Sequence, residues 1–248
     1  EPSRGFRSTC DTETLALALE AWGHSTLDRL RGMYAFAWYD PSRHRLLLAR
    51  DPLGIKPLYL WRGRLQGVPV VAFASEIPAL FEITGIEPEP DFTGVSAYLT
   101  TIRTVNGSRT MFRGVQSLLP GELIEVELGG DQPIVRTIAT RDINEPSVES
   151  SCRDVLSESV RRHLRTDVPL CAMLSGGLDS SAICSIAADE LPSLSTYAAG
   201  SDERTPQAMA QTDDVEMAGR MASHLGTEHA AVRLNEQLFV RTWASMVG

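Results

Sequence analysis

One stretch constrains the fold more than any other. From Val168 to Ala188 the chain reads VPLCAMLSGGLDSSAICSIAA, an apolar run that breaks into Ser-Gly-Gly and resumes as an Ala- and Ile-rich segment of helical character. A buried strand, predicted over VPLCAML, that turns through two glycines into a helix starting near Asp179 or Ser180 opens a strand-loop-helix unit, and such units place their strands in parallel. The rest of the second half repeats the alternation. VESSCRDVLSESVRRHLRT predicts a helix with Val155, Leu156, Val160 and Leu164 inward. LSTYAAG predicts a second strand, DDVEMAGRMASHLG a helix closed by Gly226, and EHAAVRL a third strand. The pattern is that of a doubly wound parallel α/β sheet, whose ligands lie at the carboxyl ends of the strands, where the Ser-Gly-Gly loop falls.

The first half is punctuated differently. TETLALALEA, from Thr12 to Ala21, carries Leu15, Leu19 and Trp22 at helical spacing, with Asp11 or Thr12 placed to cap it and Gly23 to stop it. Three pairs of apolar runs then follow, each joined by a turn signal and each read as an antiparallel hairpin: MYAFAWYD with RLLLARD, PLYLWR with VPVVAFASE, and GELIEVEL with PIVRTIAT. IPALFEITG and FTGVSAYLT predict short helices between them. The chain is thus α/β overall, a β-rich α+β part followed by the parallel part. A polar stretch from Asn144 to Ser151 reads as the linker between a first domain over 1–143 and a second over 150–248.

Composition excludes several classes of partner. With a net charge of −9 the 248-residue chain lacks the basic footprint that nucleic acid or an anionic membrane surface requires, so neither is expected. No apolar run reaches the roughly 20 residues of a membrane helix, which predicts a soluble protein. Cys10, Cys152, Cys171 and Cys184 form no C-x-x-C pair and predict reduced, mostly buried thiols of a cytoplasmic protein. His24, His44, His163, His224 and His229 share no spacing and read as surface or capping residues.

The chemistry of LSGGLDSS follows from its place. The first N–H groups of a helix have no intrahelical partner, and the helix dipole adds partial positive charge there, which together make an anion site. Gly176 and Gly177 let the backbone approach a ligand, and Ser175, Ser180 and Ser181 carry hydroxyl donors. A Walker A loop would place a lysine here, whereas this loop supplies Asp179. A carboxylate facing a polyphosphate makes sense as a ligand of Mg²⁺, which prefers one or two carboxylates plus phosphate oxygens. The alternative is a Gly-Gly turn with Asp179 as an ordinary helix cap.

These residues carry a resemblance. LSGGLDSS on a parallel strand resembles the pyrophosphate loop of the N-type ATP pyrophosphatases, which split ATP to AMP and pyrophosphate. FRSTCDTETLALALEAWG, LRGMYAFAWYD, ARDPLGIKPLYL and FASEIPAL are similar, in this order, to the class II glutaminase domain of glutamine-hydrolysing asparagine synthetases. MFRGVQSLLPGELIEV, RRHLRTDVPLCAMLSGGLDSS and MASHLGTEH continue the likeness into the synthetase domain. The resemblance implies an Ntn-hydrolase-like first part and a pyrophosphate-loop second part. It implies asparagine formation from aspartate by way of β-aspartyl-AMP, with ammonia from glutamine, ATP and Mg²⁺ as cofactors, and it allows a homodimer of the complete form. By position, Asp11 matches the acid that holds the glutamine α-amino group. Ser175, Gly176, Gly177, Asp179 and Ser180 match the pyrophosphate loop, with Asp179 a magnesium ligand, and Met173 and Ala199 match backbone positions lining the adenine pocket.

The chain departs from that family at its ends. It begins EPSRGF, without the family's N-terminal Cys, and stops at FVRTWASMVG, before the family's second glycine-rich loop. The expectation is an internal piece of a longer enzyme, partial in both domains and inactive by itself; a relative lacking the cysteine that closes a β-lactam or macrolactam, or an ATP-binding module without turnover, are the alternatives. ARDPLGIKPLYL, with Arg50, Asp51 and Lys56, is expected to shape a turn rather than to catalyse.

Overall fold

A computed structural model describes residues 6–101, 107–140, 151–201 and 214–247, and the chain divides into two compact units, Glu1–Glu145 and Pro146–Gly248. The expected linker from Asn144 lies outside the described residues except for Ser151.

In the first unit α1 (Asp11–Trp22) is closed by Gly23 and followed by a single 3-10 turn and α2 (Thr26–Arg29). The three hairpins form as the alternation of apolar and polar residues requires: β1 (Ala35–Asp40) with β2 (Arg45–Arg50), β3 (Tyr59–Leu65) with β4 (Val68–Ala74), and β6 (Glu122–Glu127) with β7 (Ile134–Thr140), all antiparallel. A three-residue strand that the sequence patterning did not reveal, β5 (Val115–Ser117), also pairs with β3. One sheet runs β1-β2-β6-β7 and the other β4-β3-β5. Their inner faces meet through Leu46, Leu48, Ile124 and Val126 on one side and Leu58, Leu60 and Leu118 on the other. Outside the first sheet, Leu27 of α2 packs on Leu47, Ala49 and Leu123. Outside the second, Leu80 of α3 (Ile77–Thr84) packs on Trp61 and Ala72. The result is a layered α+β arrangement in which each sheet buries both faces. α4 (Phe92–Thr101) starts from Asp91, whose carboxylate accepts from the Thr93 and Gly94 amides.

In the second unit α5 (Cys152–His163) is capped by the Ser151 hydroxyl, which accepts from the Asp154 amide. There follow β8 (Cys171–Met173), α6 (Leu178–Glu190), β9 (Ser195–Ser201), α7 (Asp214–Leu225), β10 (Glu228–Leu234) and α8 (Glu236–Val247). The strands are parallel in the order β10-β9-β8. Val160, Cys184, Ala187, Ala218 and Ala222 from α5, α6 and α7 pack with Leu174, Leu194 and Ala198 into one core. The mixed α/β class read from the sequence is the class observed.

Three local expectations are corrected. Val155 is 53% exposed, because α5 lies on the core through Leu156, Val160 and Leu164 only. The first parallel strand is three residues instead of seven: Thr166 Oγ1 ties back to the Val168 amide and carbonyl, and Pro169 has no N–H to give to a ladder. The cysteines are mostly exposed, not mostly buried. Cys10, Cys152 and Cys171 sit at element starts that face outward, and Cys184 alone of the four is buried, with its thiol pKa raised by that burial. All four are free thiols.

Candidate functional site

The loop between β8 and α6 is built by one unusual backbone turn. Gly176 has φ +77°, a conformation side chains rarely adopt, and a Cβ there would stand 2.7 Å from Met217 and from the Ala218 backbone amide of α7. Two reasons therefore demand glycine, the turn and the closeness of the neighbouring helix. Leu174 is fully buried at the strand end, its amide donating to the Tyr197 carbonyl at 2.8 Å, so the loop leaves the sheet from a fixed point.

Gly177 occupies the cap position of α6 and offers no side chain to it. The first amides of a 13-residue helix thus have no side-chain cap, the arrangement that favours an anion at the helix start. Ser175 and Ser180 hydroxyls sit 2.9 Å apart, and Ser180 Oγ accepts from the Ser175 amide and donates to the Gly177 carbonyl. Ser181 is turned inward and buried instead of facing the loop mouth.

Asp179 is the second residue of α6 and exposed; it is not the cap that the alternative reading required. Among the described residues no hydrogen bond or ion pair engages its carboxylate. Oxygen ligands on a carboxylate and two nearby hydroxyls are a donor set suited to a hard cation, and among the described residues no trio of His, Cys, Asp and Glu gathers to make a protein-only metal cage. Met173 and Ala199 lie exposed on β8 and β9, on the sheet face away from α6 and α7.

Asp11 lies in the first unit. It is the first residue of α1, exposed, while Cys10 holds the cap position without a side-chain cap bond; neither Asp11 nor Thr12 caps the helix, a correction to the expectation. A helix N-terminus still suits its negative charge. Its Oδ1 takes contacts from Cys10 Sγ at 3.7 Å and Thr12 Oγ1 at 3.4 Å. Glu13 is a residue the sequence reading passed over. Its carboxylate accepts from the Arg7 amide and from the Ser8 amide and hydroxyl, which holds its pKa below the usual carboxylate range and fixes the turn that leads into Asp11. The acid-rich start DTE was the signal available.

In ARDPLGIKPLYL the side chains of Arg50 and Asp51 are held by the fold. Asp51 is 0% exposed and accepts from the Leu53, Ile55 and Lys56 amides. Burial alone would raise its pKa, and these amide bonds outweigh it and hold the group below its ordinary value. Arg50 donates to the Lys56, Gly54 and Leu118 carbonyls and to Ser117 Oγ. Two histidines depart from the surface reading: His24 is half buried, its Nε2 3.6 Å from Glu125 Oε2, and His229 is half buried, its Nδ1 3.0 Å from Thr196 Oγ1 and its Nε2 enclosed with no partner among the described residues.

Comparison with known proteins agrees with this layout. Residues 1–135 match the glutamine amidotransferase domain family and residues 151–248 the asparagine synthase family. Two Bacillus subtilis proteins, glutamine-hydrolysing asparagine synthetases 1 and 3, are 29% and 31% identical over 246 and 237 residues, covering 98% and 90% of this chain. Amidase chyE of Penicillium rubens is 29% identical over 256 residues, 94% of this chain. The chain spans 37%, 38% and 36% of the length of these three relatives.

Proposed function

The chain belongs to the glutamine amidotransferase and asparagine synthase family, and on that premise we propose that it serves ATP-dependent amide formation, making asparagine from aspartate and glutamine-derived ammonia. Residues 1–143 serve as the glutamine amidotransferase-like domain and residues 150–248 as the ATP-pyrophosphatase-type synthetase domain. The observation that carries the reading is the loop from Ser175 to Ser180: an uncapped helix start, a glycine turn held against α7, and an Asp179 carboxylate with no fold-internal partner among the described residues.

In this reading the first amides of α6 and its dipole receive the phosphates, and the Ser175 and Ser180 hydroxyls exchange their mutual hydrogen bond for phosphate oxygens. Asp179 would hold Mg²⁺, which would supply positive charge against the departing pyrophosphate. The aspartate side-chain carboxylate attacks the α-phosphorus of ATP, pyrophosphate leaves, and ammonia then displaces AMP from β-aspartyl-AMP. Met173 and Ala199 line the base. In the first unit Asp11 pairs with the α-ammonium of glutamine, a charge-assisted bond, and Glu13 steadies the turn before it.

The substrate set is tested directly. The product of the full gene and, separately, residues 1–248 alone are incubated with Mg²⁺, ATP, aspartate and either glutamine or ammonium, and asparagine, AMP and pyrophosphate are followed. Stoichiometric appearance of all three is expected from the full product and none from residues 1–248 alone; ADP and phosphate in their place would contradict adenylation. A second reading rests on the amidase likeness, which at 29% identity over 94% of the chain lies in the same range as the two B. subtilis synthetases, at 29% over 98% and 31% over 90%. It keeps ATP and the loop and changes the acceptor, and aspartate would then fail to stimulate pyrophosphate release while another carboxylate succeeds.

A further inference from the structure

On one face of β9 the residues shrink toward the carboxyl end of the strand, from Thr196 to Ala198 to Gly200. Thr196 and Ala198 are buried, and Gly200 shares their face because side chains alternate along a strand. α7 answers with Val215, Ala218 and Ala222, spaced three and four residues apart and all buried. The narrowing lets the start of α7 come down onto the sheet. A Cβ on Gly200 would fall 2.4 Å from Val215 Cγ2 and 3.7 Å from Val215 Cβ. The φ of Gly200 lies outside the left-handed region, so closeness, and not backbone conformation, asks for glycine at this position.

One turn further along, the same helix meets the Ser-Gly-Gly loop. A Cβ on Gly176 would stand 2.7 Å from Met217 Cβ, from the Met217 carbonyl carbon and from the Ala218 amide nitrogen. Val215 and Ala218 are three residues apart, about 4.5 Å along the helix axis. The beginning of α7 is therefore seated against two glycines, Gly200 of the sheet and Gly176 of the loop. Among the described residues the hydrogen bonds of Ser175 and Gly177 stay within the loop and the first turn of α6. The backbone of α7 is thus the outside body against which the turn at Gly176 rests.

We infer that Val215 is a positioning residue for the phosphate loop. Its Cγ2 over Gly200 sets the height of α7 on the sheet, and α7 in turn holds Gly176. The Ser175 and Ser180 hydroxyls and the first amides of α6 keep their path through that contact, without Val215 touching the ligand. A helix on a sheet is ordinary packing, and Val215 would then serve stability alone. The second seat of the same helix on Gly176 is what extends its part to the loop. The inference rests on the reading of LSGGLDSS as the phosphate site.

The experiment exchanges the sizes of the two partners. Pyrophosphate with Mg²⁺ is titrated calorimetrically into the product of the full gene, as wild type, Val215→Ala, Gly200→Ala, the double variant of these two, and Val215→Thr, with urea denaturation of each. Val215→Ala removes the wedge and Gly200→Ala forces it outward; each is expected to weaken pyrophosphate about tenfold. In the double variant the two methyl carbons meet at the 3.7 Å of an ordinary contact, and affinity is expected to return to within about twofold of wild type. Val215→Thr keeps the branched shape and buries a hydroxyl, so it is expected to lose stability and keep its affinity. Should Val215→Ala fail to fold, Gly200→Ala and Val215→Thr probe the same contact from its two sides. If Val215→Ala and Gly200→Ala lower stability and bind pyrophosphate as the wild type does, Val215 is core packing alone and the inference falls, with the phosphate site intact. It falls equally if the double variant binds no better than its parents, or if Val215→Thr loses affinity along with stability. If the wild type shows no Mg²⁺-dependent pyrophosphate binding, the phosphate-site reading falls and takes the inference with it.

Discussion

Two loops of this molecule draw on the same residue types and use them in opposite ways. In ARDPLGIKPLYL a glycine, an acid and neighbouring cations suggest chemistry, yet Asp51 is wholly buried, its oxygens taken by three backbone amides, and Arg50 is spent on four acceptors. In LSGGLDSS the acid is exposed, the helix start has no side-chain cap, and the Ser175 and Ser180 hydroxyls bond to each other and to backbone groups of the loop itself. What separates a structural loop from a binding loop is whether the fold consumes its polar groups. Charge and glycine content look alike in both.

The largest expected effect follows from that difference. Asp51→Ala strands three part-buried amides and empties a fully buried position, and should lower unfolding free energy by about 3 kcal/mol, read from urea denaturation. A cost below about 1 kcal/mol would erase the contrast. Arg50→Lys replaces a planar fork serving several acceptors with a single ammonium, and about 2 kcal/mol is expected in the same assay.

Gly176→Ala links the two behaviours, since its backbone is left-handed and α7 stands in the way of the added methyl. A loss of about 1 to 2 kcal/mol is expected, together with loss of pyrophosphate binding, because the loop cannot keep its path. Retained binding with unchanged stability would show that the turn is not what shapes the site.

The acid dependence of stability sharpens the comparison further. The folded-state pKa of Asp51 is depressed, so its contribution is complete above the ordinary carboxylate value of about 4 and is lost as pH falls through the folded value. The stability gap between wild type and Asp51→Asn should therefore be widest near neutral pH and narrow below about pH 4. A gap that widens on acidification would reverse the sign and contradict the hydrogen-bond assignment. Smallest of all, Ser180→Ala removes a hydroxyl bonded to Ser175, and a change of about 0.5 kcal/mol in stability is expected, with weaker phosphate binding as the more visible result.

How much of this was legible in the sequence varies with the scale of the interaction. The hairpins and the strand-helix alternation came through because they rest on local periodicity and on turn residues such as Asp40-Pro41 and Gly23. The strand β5 did not, because three residues with Gln116 at their centre carry no pattern; its place is decided by β3 across the sheet. The start of β8 was read too early because Pro169 and the Thr166 turn act against an apolar run that otherwise looks like a strand. At the loop, the pattern SGGLDSS supplies the residue types, and only the structure shows that Gly177 holds the cap position and Asp179 does not, or that Ser181 points into the core. The part Glu13 plays rests on bonds from the Arg7 and Ser8 amides, which the acid-rich DTE alone does not specify. GSDERTPQAMAQTDD, a polar stretch to which the sequence assigns no substrate, lies outside the described residues apart from its ends.

The central claim is that the fold leaves Asp179 to a ligand. Pyrophosphate affinity measured with and without Mg²⁺, on wild type and Asp179→Asn, with urea denaturation of both, tests it most directly. Binding that depends on Mg²⁺ in the wild type, is lost in the variant, and is accompanied by unfolding curves that differ by no more than about 0.5 kcal/mol is the predicted result. Equal pyrophosphate binding by both proteins, or a stability loss in Asp179→Asn as large as that from Asp51→Ala, would contradict it.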